Sequence, residues 1–511
     1  MKRSNAAAIL LVYVLMGGAG PTRAAQPPDV VQTDPEGNTA MGTSALSSLA
    51  TGLNNTAAGF DTLTTDTMGS YNSALGFNAL HLNTVGHYNT AIGAHALFAN
   101  TSGLFNTATG YAALATISGS APGNGNGSQN TGSGAWVLYS NSGGNGNTAS
   151  GYHALFLNST GNNNTVSGVG ALCGNTTGSN NTASGAYALA GEIAGPTNPA
   201  TPDCPAATGS DNTASGAYAL TRNNGSDNSA SGADALYSNT TGSDNTAAGY
   251  EALYANTTGN SNAAFGWGAL YSNTDGASNT ATGHHSLYAN TTGYHNTAVG
   301  ADALESNSLG VENTAVGLES LFSNTSGSQN IAVGINAGYN LTTGSNNIDI
   351  GNSGVAGESK TIRLGAAGTH AATYIAGIST AHVTGAVVYV TSAGQLGVLA
   401  SSERYKTDVV SMGTQSSKLR QLRPVKFHLK TEPRGAVQYG LIAEEVNRVY
   451  PELVIRDGNG AIQGVRYDEL APMLLNEVSA QARELSHVQQ QLAELKQANE
   501  DLRVQLRSMR R

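Results

Sequence analysis

The sequence predicts a mainly β protein. In it, a parallel β-solenoid or β-roll of 17-residue repeats precedes a small α+β domain that ends in a coiled coil. Three observations predict this fold class: a strict period from residue 38 to 351, a charged fraction of only 11% among 511 residues, and a heptad pattern over residues 478–511. Ordinary domains contain about 25% charged residues, so we do not expect a conventional globular core over most of the chain.

The repeat defines the solenoid. Each repeat reads Asn-Thr-Ala-x-Gly, then x-x-Ala-Leu, then x-x-Asn-Thr-Thr-Gly, and positions are numbered here from the leading asparagine. A fixed period of this length is typical of one repeat per coil, because a single repeat cannot bury a face alone. The Asn-Thr-Ala segment is predicted to be a strand in a parallel ladder with hydrogen-bonded asparagine side chains. Insertions near residues 114–129 and 191–208 interrupt the register.

The apolar positions predict a narrow core. Alanine and leucine occupy positions 8 and 9, and a single helical turn over this segment is the alternative to a bend. The glycines at positions 5 and 15 are expected at corners that need positive φ. The leucines expected inside are Leu80, Leu97, Leu155, Leu172, Leu236, Leu253, Leu270, Leu287, Leu304 and Leu321.

Position 10 is aromatic in many repeats. Such a row packs coil on coil or subunit on subunit, which is the favoured interpretation, or it stacks on sugar rings if it is exposed. Rows of threonine raise ice binding as a weaker alternative, although threonine also suits strands for structural reasons. The aromatic residues are Phe98, Phe156, Tyr237, Tyr254, Tyr271, Tyr288 and Phe322.

Residues 1–24 have the features of a secretory signal peptide. Lys2 and Arg3 precede a short apolar run and a small-residue cleavage site, and residues 25–37 form a linker. The apolar run is shorter than the ~20 residues that span a bilayer, so no transmembrane segment is predicted in the mature chain. We therefore expect a secreted or cell-surface protein, and export favours a disulfide between Cys173 and Cys204, which flank the second insertion.

Charge and spacing exclude several functions. Arg222 is the only basic residue between positions 25 and 350, so the repeats lack the basic surface that nucleic acid requires. The histidines show no metal-ligand spacing along the chain, and no glycine-rich phosphate loop follows a strand. We therefore predict no cofactor and no metal site.

The repeats resemble the heads of trimeric autotransporter adhesins of Gram-negative bacteria, which form left-handed β-rolls. The motifs that carry this resemblance are Asn-Thr-Ala-Val-Gly at Asn296 and Asn-Ile-Ala-Val-Gly at Asn330. The usual repeat of that family is shorter. The resemblance implies a bacterial homotrimer that binds a surface ligand.

Residues 352–400 are predicted to form a β-rich neck, and the composition changes abruptly at residue 401. Residues 401–406 read Ser-Ser-Glu-Arg-Tyr-Lys. A serine hydroxyl is a weak nucleophile that needs an adjacent base, and Lys406 can supply it when desolvation or a nearby cation, such as Arg404, favours its neutral form. The alternative is that Ser401 is a turn residue and Lys406 a solvated charge.

Residues 401–511 resemble the peptidase S74 family, the intramolecular chaperone domain of phage tailspikes and related fibres. The resemblance implies that residues 401–477 trimerise the fibre and then cut themselves off, with Ser401 as nucleophile and Lys406 as general base. Where that family often has Asp or Asn after the serine, this chain has Ser402. The motifs are residues 401–406, Leu422-Arg-Pro-Val-Lys-Phe427, Tyr439-Gly-Leu-Ile-Ala-Glu-Glu-Val446, Tyr450-Pro-Glu-Leu-Val454, Val465-Arg-Tyr-Asp468 and the terminal coiled coil.

The scissile bond has two candidates. Attack by Ser401 on the preceding carbonyl closes a five-membered ring, which favours the bond between Ala400 and Ser401. The family resemblance points instead to the bond between Ser401 and Ser402, which we slightly favour.

The terminal residues predict a coiled coil. Asn499 is the one polar residue in the apolar pattern, and such a residue commonly fixes register and oligomer state. The apolar heptad positions are Val478, Leu485, Val488, Leu492, Leu495, Leu502, Leu506 and Met509.

The leading hypothesis is an exported homotrimeric fibre, a surface adhesin or binding protein for a glycan or host ligand, with one self-cleavage as its enzymatic step. A secreted glycan-binding or glycan-degrading fibre of the tailspike kind is the alternative. Degradation would need paired carboxylates, and Asp234, Glu251 and Asp302 share repeat position 7.

Overall fold

A computed structural model describes residues 31–115, 127–191, 204, 206–370, 372–375, 387–391, 394–398, 401–457 and 459–510. The predicted signal peptide and most of both insertions lie outside these residues. The chain divides into two compact units, Met1–Thr373 and Tyr374–Arg511.

The first unit is a parallel β-solenoid, which confirms the predicted fold class. Each coil contributes one three-residue strand to a 20-stranded sheet, in which β1 pairs antiparallel with β2 and β2 to β20 run parallel in chain order. The strands are β1 Gln32–Thr33, β2 Thr39–Met41, β3 Thr56–Ala58, β4 Ser73–Leu75, β5 Thr90–Ile92, β6 Thr107–Thr109, β7 Thr131–Ser133, β8 Thr148–Ser150, β9 Thr165–Ser167, β10 Thr182–Ser184, β11 Thr213–Ser215, β12 Ser229–Ser231, β13 Thr246–Ala248, β14 Ala263–Phe265, β15 Thr280–Thr282, β16 Thr297–Val299, β17 Thr314–Val316, β18 Ile331–Val333, β19 Ile348–Ile350 and β20 Ile362–Leu364. Strand β20 pairs with β19, so the sheet continues past residue 351 into the predicted neck.

The ladder is unbroken across both insertions. Thr107 pairs with Thr131 and Thr182 pairs with Thr213, so the strand register is the same before and after each insertion. A disulfide joins Cys173 to Cys204 with the two Cα atoms 5.8 Å apart. Closing a loop of 31 residues stabilises the fold by about 3–4 kcal/mol on the chain-entropy model.

Buried asparagines form two ladders inside the solenoid. At position 1, Nδ2 of Asn245 donates to Oδ1 of Asn228 in the previous coil at 3.1 Å and to the carbonyl of Gly259 in its own coil at 2.9 Å. Its own Oδ1 accepts the backbone N–H of Asn262 at 3.0 Å. At position 12, Nδ2 of Asn273 donates to Oδ1 of the preceding coil's asparagine at 2.7 Å. The predicted asparagine ladder is confirmed, and the second one accompanies it.

The core between the ladders is narrow and apolar. All ten leucines expected inside are buried, and the strand alanines pack beside them. Burying one leucine contributes roughly 1.5–3 kcal/mol relative to leaving it exposed. Repetition over the coils therefore supplies the stability that one repeat lacks.

Residues with positive φ occur at four positions of the repeat, of which the sequence revealed only position 5. Position 5 is glycine with positive φ, as predicted, but the prediction for position 15 is wrong. Positive φ occurs instead at positions 7, 9 and 17, as at Glu251, Leu253 and Asp244, with φ of 55°, 55° and 59°. These alternating left-handed residues produce bends, so the helical-turn alternative is also wrong.

Position 15 is glycine because adjacent coils approach each other too closely there for a Cβ atom. A Cβ on Gly259 would overlap the carbonyl oxygen of Gly276 and lie 2.5 Å from Oδ1 of Asn256. That carbonyl oxygen accepts hydrogen bonds from both asparagine ladders. Any larger residue would push the ladders and the coils apart.

The aromatic row packs coil on coil. Tyr237, Tyr254, Tyr271 and Tyr288 stack with centroids 4.9–5.2 Å apart and planes within 9° of parallel. Each inner ring therefore has both faces covered by its neighbours and leaves only an edge for solvent. The packing interpretation accounts for this row better than sugar stacking does.

Two carboxylates replace neutral residues inside the solenoid. Asp66 stands where most coils carry the second asparagine, and its Oδ2 finds no hydrogen-bond partner among the described residues. Burial raises its pKa to about 6, although the N–H of Gly69 opposes the shift. Asp349 stands in the alanine column opposite Arg363, and burial raises its pKa to about 6 as well.

The described residues of the second unit form three antiparallel strand pairs and two α-helices. Its buried core comprises Val446, Tyr450, Leu453, Val454, Val465 and Met473. The elements are β21 Val388–Val390, β22 Leu396–Val398, β23 Val425–Phe427, β24 Gln438–Gly440, α1 Ala443–Val449, β25 Val454–Arg456, β26 Ile462–Val465 and α2 Tyr467–Met509, with 3₁₀ segments at Glu403–Tyr405, Gln415–Gln421 and Pro451–Leu453.

Replacing Gly259 with alanine tests the close approach between coils. We expect Gly259→Ala to destabilise the surrounding coils by about 1–3 kcal/mol, because the added methyl overlaps backbone and must separate them. Amide hydrogen exchange over residues 245–278 measures the loss. Gly397→Ala is the control, since open space surrounds Gly397 and its φ is not left-handed. Equal protection in both variants would contradict the packing account.

Replacing Asp66 with asparagine tests the cost of its buried charge. The pKa of Asp66 is about 6 in the folded chain, above its ordinary value of 3.8, so the native state holds the proton longer and loses stability as pH rises between these values. Asp66→Asn should therefore match wild type at pH 4 and be more stable at pH 7 by about 1–3 kcal/mol. Hydrogen exchange of the neighbouring coils measures this, with the exposed Asp244→Asn as control. A gain that is the same at both pH values would refute the assignment.

Candidate functional site

The candidate site lies where residues 401–406 enter the second unit. Ser402 precedes a single 3₁₀ turn, Glu403–Tyr405, and Lys406 follows it. The N–H of Tyr405 donates to the carbonyl of Ser402 at 3.0 Å, and that of Lys406 to the carbonyl of Glu403 at 2.9 Å. This turn brings Ser401 and Lys406 to the two ends of one short loop.

The predicted nucleophile and the predicted base are not paired in the single chain. Ser401 and Lys406 are both exposed, and no hydrogen bond joins their side chains, both of which the structure describes. Ala400, on the other side of one candidate bond, lies outside the described residues. The 3₁₀ turn alone therefore does not build a Ser/Lys dyad.

Arg404 points to its neighbour. Its guanidinium carbon lies 4.6 Å from the centroid of the Tyr405 ring, a cation–π contact. Both residues are exposed in this arrangement. The role of Arg404 in tuning Lys406 remains a prediction.

Helix α2 carries an apolar stripe that its own chain leaves uncovered. We call the eight heptad residues named above the heptad stripe; their side chains are 51–80% exposed. Asn499 lies exposed within the same stripe. Large contiguous apolar surfaces of this kind mark interaction sites.

The first turns of α2 are anchored by a polar network that sequence reasoning missed. Glu477 is 9% exposed, and its carboxylate accepts the Ser416 hydroxyl at 3.3 Å and lies 3.4 Å from Nε of Arg420. Asn476 donates to the same Ser416 hydroxyl at 2.7 Å. Since Glu477 is one of several glutamates in the helix, nothing in the local pattern distinguishes it.

The position 7 acids of the fibre do not form one site. Asp234 and Glu251 lie in adjacent coils, where burial and the charge of Glu251 raise the pKa of Asp234. Asp302 lies further along the solenoid beside His284 and His285. Of the three carboxylates named for the glycan-degrading alternative, Asp234 and Glu251 are therefore the two that lie in adjacent coils.

Comparison with known families identifies the C-terminal segment. Residues 401–455 match the Peptidase_S74 family, described as the chaperone of endosialidase. The match begins at Ser401 and ends within β25, so it confirms the resemblance over this segment, which we call the S74 segment. The chain therefore carries a Peptidase_S74 segment after a long parallel β-solenoid. No curated protein matches the chain.

The described helices were also compared with the dimensions of a bilayer. Among the residues that the structure describes, no helix combines the length and the apolar character that crossing a membrane requires.

Proposed function

We propose that the chain is an exported homotrimeric fibre whose C-terminal domain assembles the trimer and then removes itself by cleavage next to Ser401. The observation that carries this proposal is that the S74 segment begins at Ser401. The uncovered heptad stripe on the helix that follows this segment supports it further. Assembly and cleavage are then two steps of one process.

The heptad stripe supports assembly. Leucine, valine and methionine at successive heptad positions are stable in water only when another helix covers them. Three copies of α2 would bury the stripe in a coiled coil, with Asn499 setting its register. The first turns of α2 contact Ser416 and Arg420 of the S74 segment, so trimerisation of the helices would also bring three S74 segments together.

A second apolar row supports association of the fibre itself. Position 4 of four consecutive strands carries Val299, Val316, Val333 and Ile350, which are 38–44% exposed and pair in register. The same position is threonine or serine in most central coils. Met41, Leu75 and Ile92 make the position apolar and exposed again in the N-terminal coils, so this apolar surface lies towards both ends of the solenoid.

The cleavage chemistry uses two side chains and one water. Nζ of neutral Lys406 takes the proton of the Ser401 hydroxyl while Oγ attacks a peptide carbonyl, and the tetrahedral intermediate expels the amine, which takes that proton from Lys406. The product is an ester on Ser401. Water then hydrolyses the ester, releases a carboxylate and restores the hydroxyl.

The two candidate bonds differ in which serine hydroxyl can attack the carbonyl. For the bond between Ala400 and Ser401, Oγ of the same residue closes a five-membered ring, and the ester forms by an N-to-O acyl shift. For the bond between Ser401 and Ser402, attack by Ser401 on its own carbonyl would close a strained four-membered ring, so Ser401 can cut this bond only when it acts from another subunit. The family resemblance favours this second bond.

Separation of the dyad in the single chain supports control by assembly. Ser401 and Lys406 are both exposed to solvent, and their side chains share no hydrogen bond. Packing of neighbouring subunits around the 3₁₀ turn would remove water and bring the two side chains together. Cleavage would then occur only in correctly assembled trimers.

The released fibre would be a secreted or cell-surface binding protein of a bacterium, with a glycan or host-surface ligand. Exposed rings outside the stacked row, such as Tyr250 and Trp267, offer faces for such a ligand. The tailspike alternative depends on Asp234 and Glu251, and hydrolysis of a polysaccharide panel that is lost in Asp234→Asn would favour it.

Removing either member of the dyad should stop cleavage. We expect wild type to release a C-terminal fragment of about 110 residues, and Ser401→Ala and Lys406→Ala to stay full length, because each lacks nucleophile or base. Intact mass spectrometry measures this. Fragments that start at Ser401 or at Ser402 differ by one serine residue, so the mass also names the bond. Ser402→Ala is the matched control and should still be cut; cleavage of Ser401→Ala would refute the assigned nucleophile.

Breaking the coiled coil should stop cleavage without touching the dyad. Leu495→Lys places a charge in the heptad stripe, and we expect an uncut chain that does not trimerise. Gln490→Lys lies at the heptad position opposite the stripe and should leave both properties intact. Light scattering gives the oligomeric state and intact mass gives cleavage. Normal cleavage in a monomeric Leu495→Lys chain would separate the two steps that the proposal joins.

A further inference from the structure

Three metal-ligating side chains meet on the surface of the solenoid. His284 and His285 occupy positions 6 and 7 of one coil, and Asp302 occupies position 7 of the next. One donor atom from each of the three lies within 4.8 Å of the others. The sequence analysis predicted no metal site because the histidines lack a metal-ligand spacing along the chain. Asp302 follows His284 by 18 residues and His285 by 17, and such residues become neighbours only when the coils stack.

Backbone hydrogen bonds of the solenoid hold the three residues in place. The N–H of Asp302 donates to the carbonyl of His284 at 2.9 Å, and that of His285 donates to the carbonyl of Trp267 at 3.0 Å. The ligand-bearing backbone is therefore as fixed as the ladder itself. Donors placed this way lose little conformational entropy when an ion binds.

The donor atoms are near the spacing that a small ion requires. Oδ1 of Asp302 lies 3.4 Å from Nδ1 of His284 and 3.9 Å from Nδ1 of His285. Ligands about 2.1 Å from a tetrahedral ion are separated by about 3.4 Å, so small side-chain rotations complete the site. The side chains are 27–44% exposed, which leaves room for an ion to enter and for water to fill its remaining positions.

The position of His285 depends on a glycine in the coil below. A Cβ on Gly268 would lie 2.7 Å from Cδ2 of His285, whereas most other coils carry a side chain at this position. The ring fills that space between Trp267 at 5.0 Å and Tyr288 at 4.5 Å.

We propose that His284, His285 and Asp302 form a surface site for a divalent transition-metal ion. Two imidazoles and one carboxylate suit Zn²⁺, Ni²⁺ and Cu²⁺ rather than the all-oxygen preference of Ca²⁺ or Mg²⁺. Cu²⁺ should bind most tightly, as it does at most nitrogen and oxygen sites. Water completes the coordination, so the ion can also accept a ligand from outside the fibre.

The fluorescence of Trp267 can report the binding of a metal ion at this site. Its ring centroid lies 4.7 Å from that of His284, so a paramagnetic ion at the site would quench it. The chain has two tryptophans, and Trp136→Phe leaves Trp267 as the only one. The probe is Cu²⁺ alone, titrated into this full-length variant without a histidine tag.

We expect saturable quenching with one Cu²⁺ per chain. His284→Gln and Asp302→Asn should each weaken binding by about 10- to 100-fold, since even the loss of a group that only supports a ligand costs that much. His295→Gln changes an exposed histidine elsewhere on the solenoid and should leave the affinity unchanged. Electron paramagnetic resonance of the bound Cu²⁺ should show two nitrogen ligands, and circular dichroism verifies that each variant is folded.

Two results would overturn the site. One is equal affinity in the parent and in both folded ligand variants. The other is bound Cu²⁺ without histidine nitrogen in its coordination. Neither result bears on assembly or cleavage, which involve other residues.

Discussion

The buried asparagine at position 1 is the interaction on which the rest of the solenoid depends. Its amide cannot reach water, so every donor and acceptor must find a partner inside the protein. Asn245 meets this demand only if a coil carrying the same asparagine lies on each side and the carbonyl of Gly259 closes its own coil. One slip in register would leave several polar groups unpaired, each costing about 1–3 kcal/mol.

Fixed register makes rows of side chains out of residues far apart in the chain. The stacked tyrosines, the apolar row of position 4 and the cluster of His284, His285 and Asp302 all arise this way. Chemistry on such a fibre has to be sought along columns rather than along the sequence. The repeat stabilises the fold, while departures from it change local chemistry. Asp66 places a carboxyl group inside the solenoid, and Gly268 leaves the space that the His285 ring fills.

The solenoid could be predicted because the 17-residue period of the sequence is the length of one coil. The leucine column and the asparagine ladder follow from it, and so does the Gly at position 5. The conformation at Leu253 was not predictable, because a left-handed leucine is stable only when the hydrogen bonds of adjacent coils hold it there. Glycine at position 15 was not explained by the sequence either. It is required because a carbonyl of the next coil lies too close for a Cβ, and not because its own φ is positive.

The candidate cleavage site was predictable as a motif but not as an arrangement. Ser401 and Lys406 stand out in the sequence, and the S74 segment begins at the predicted residue. In the proposed mechanism their pairing depends on contacts between subunits, which no local pattern encodes. The burial of Glu477 similarly depends on the distant Ser416 and Arg420.

The central claim is that assembly switches cleavage on, and the order of the two events during refolding tests it most directly. Denatured full-length chains, accumulated under conditions that prevent folding, are diluted into buffer, and trimers and fragments are followed in time at several chain concentrations. The account predicts that trimers form first, at a rate that rises with concentration, and that cleavage follows within them at a rate independent of concentration. Fragments that appear among monomers before any trimer forms would contradict it.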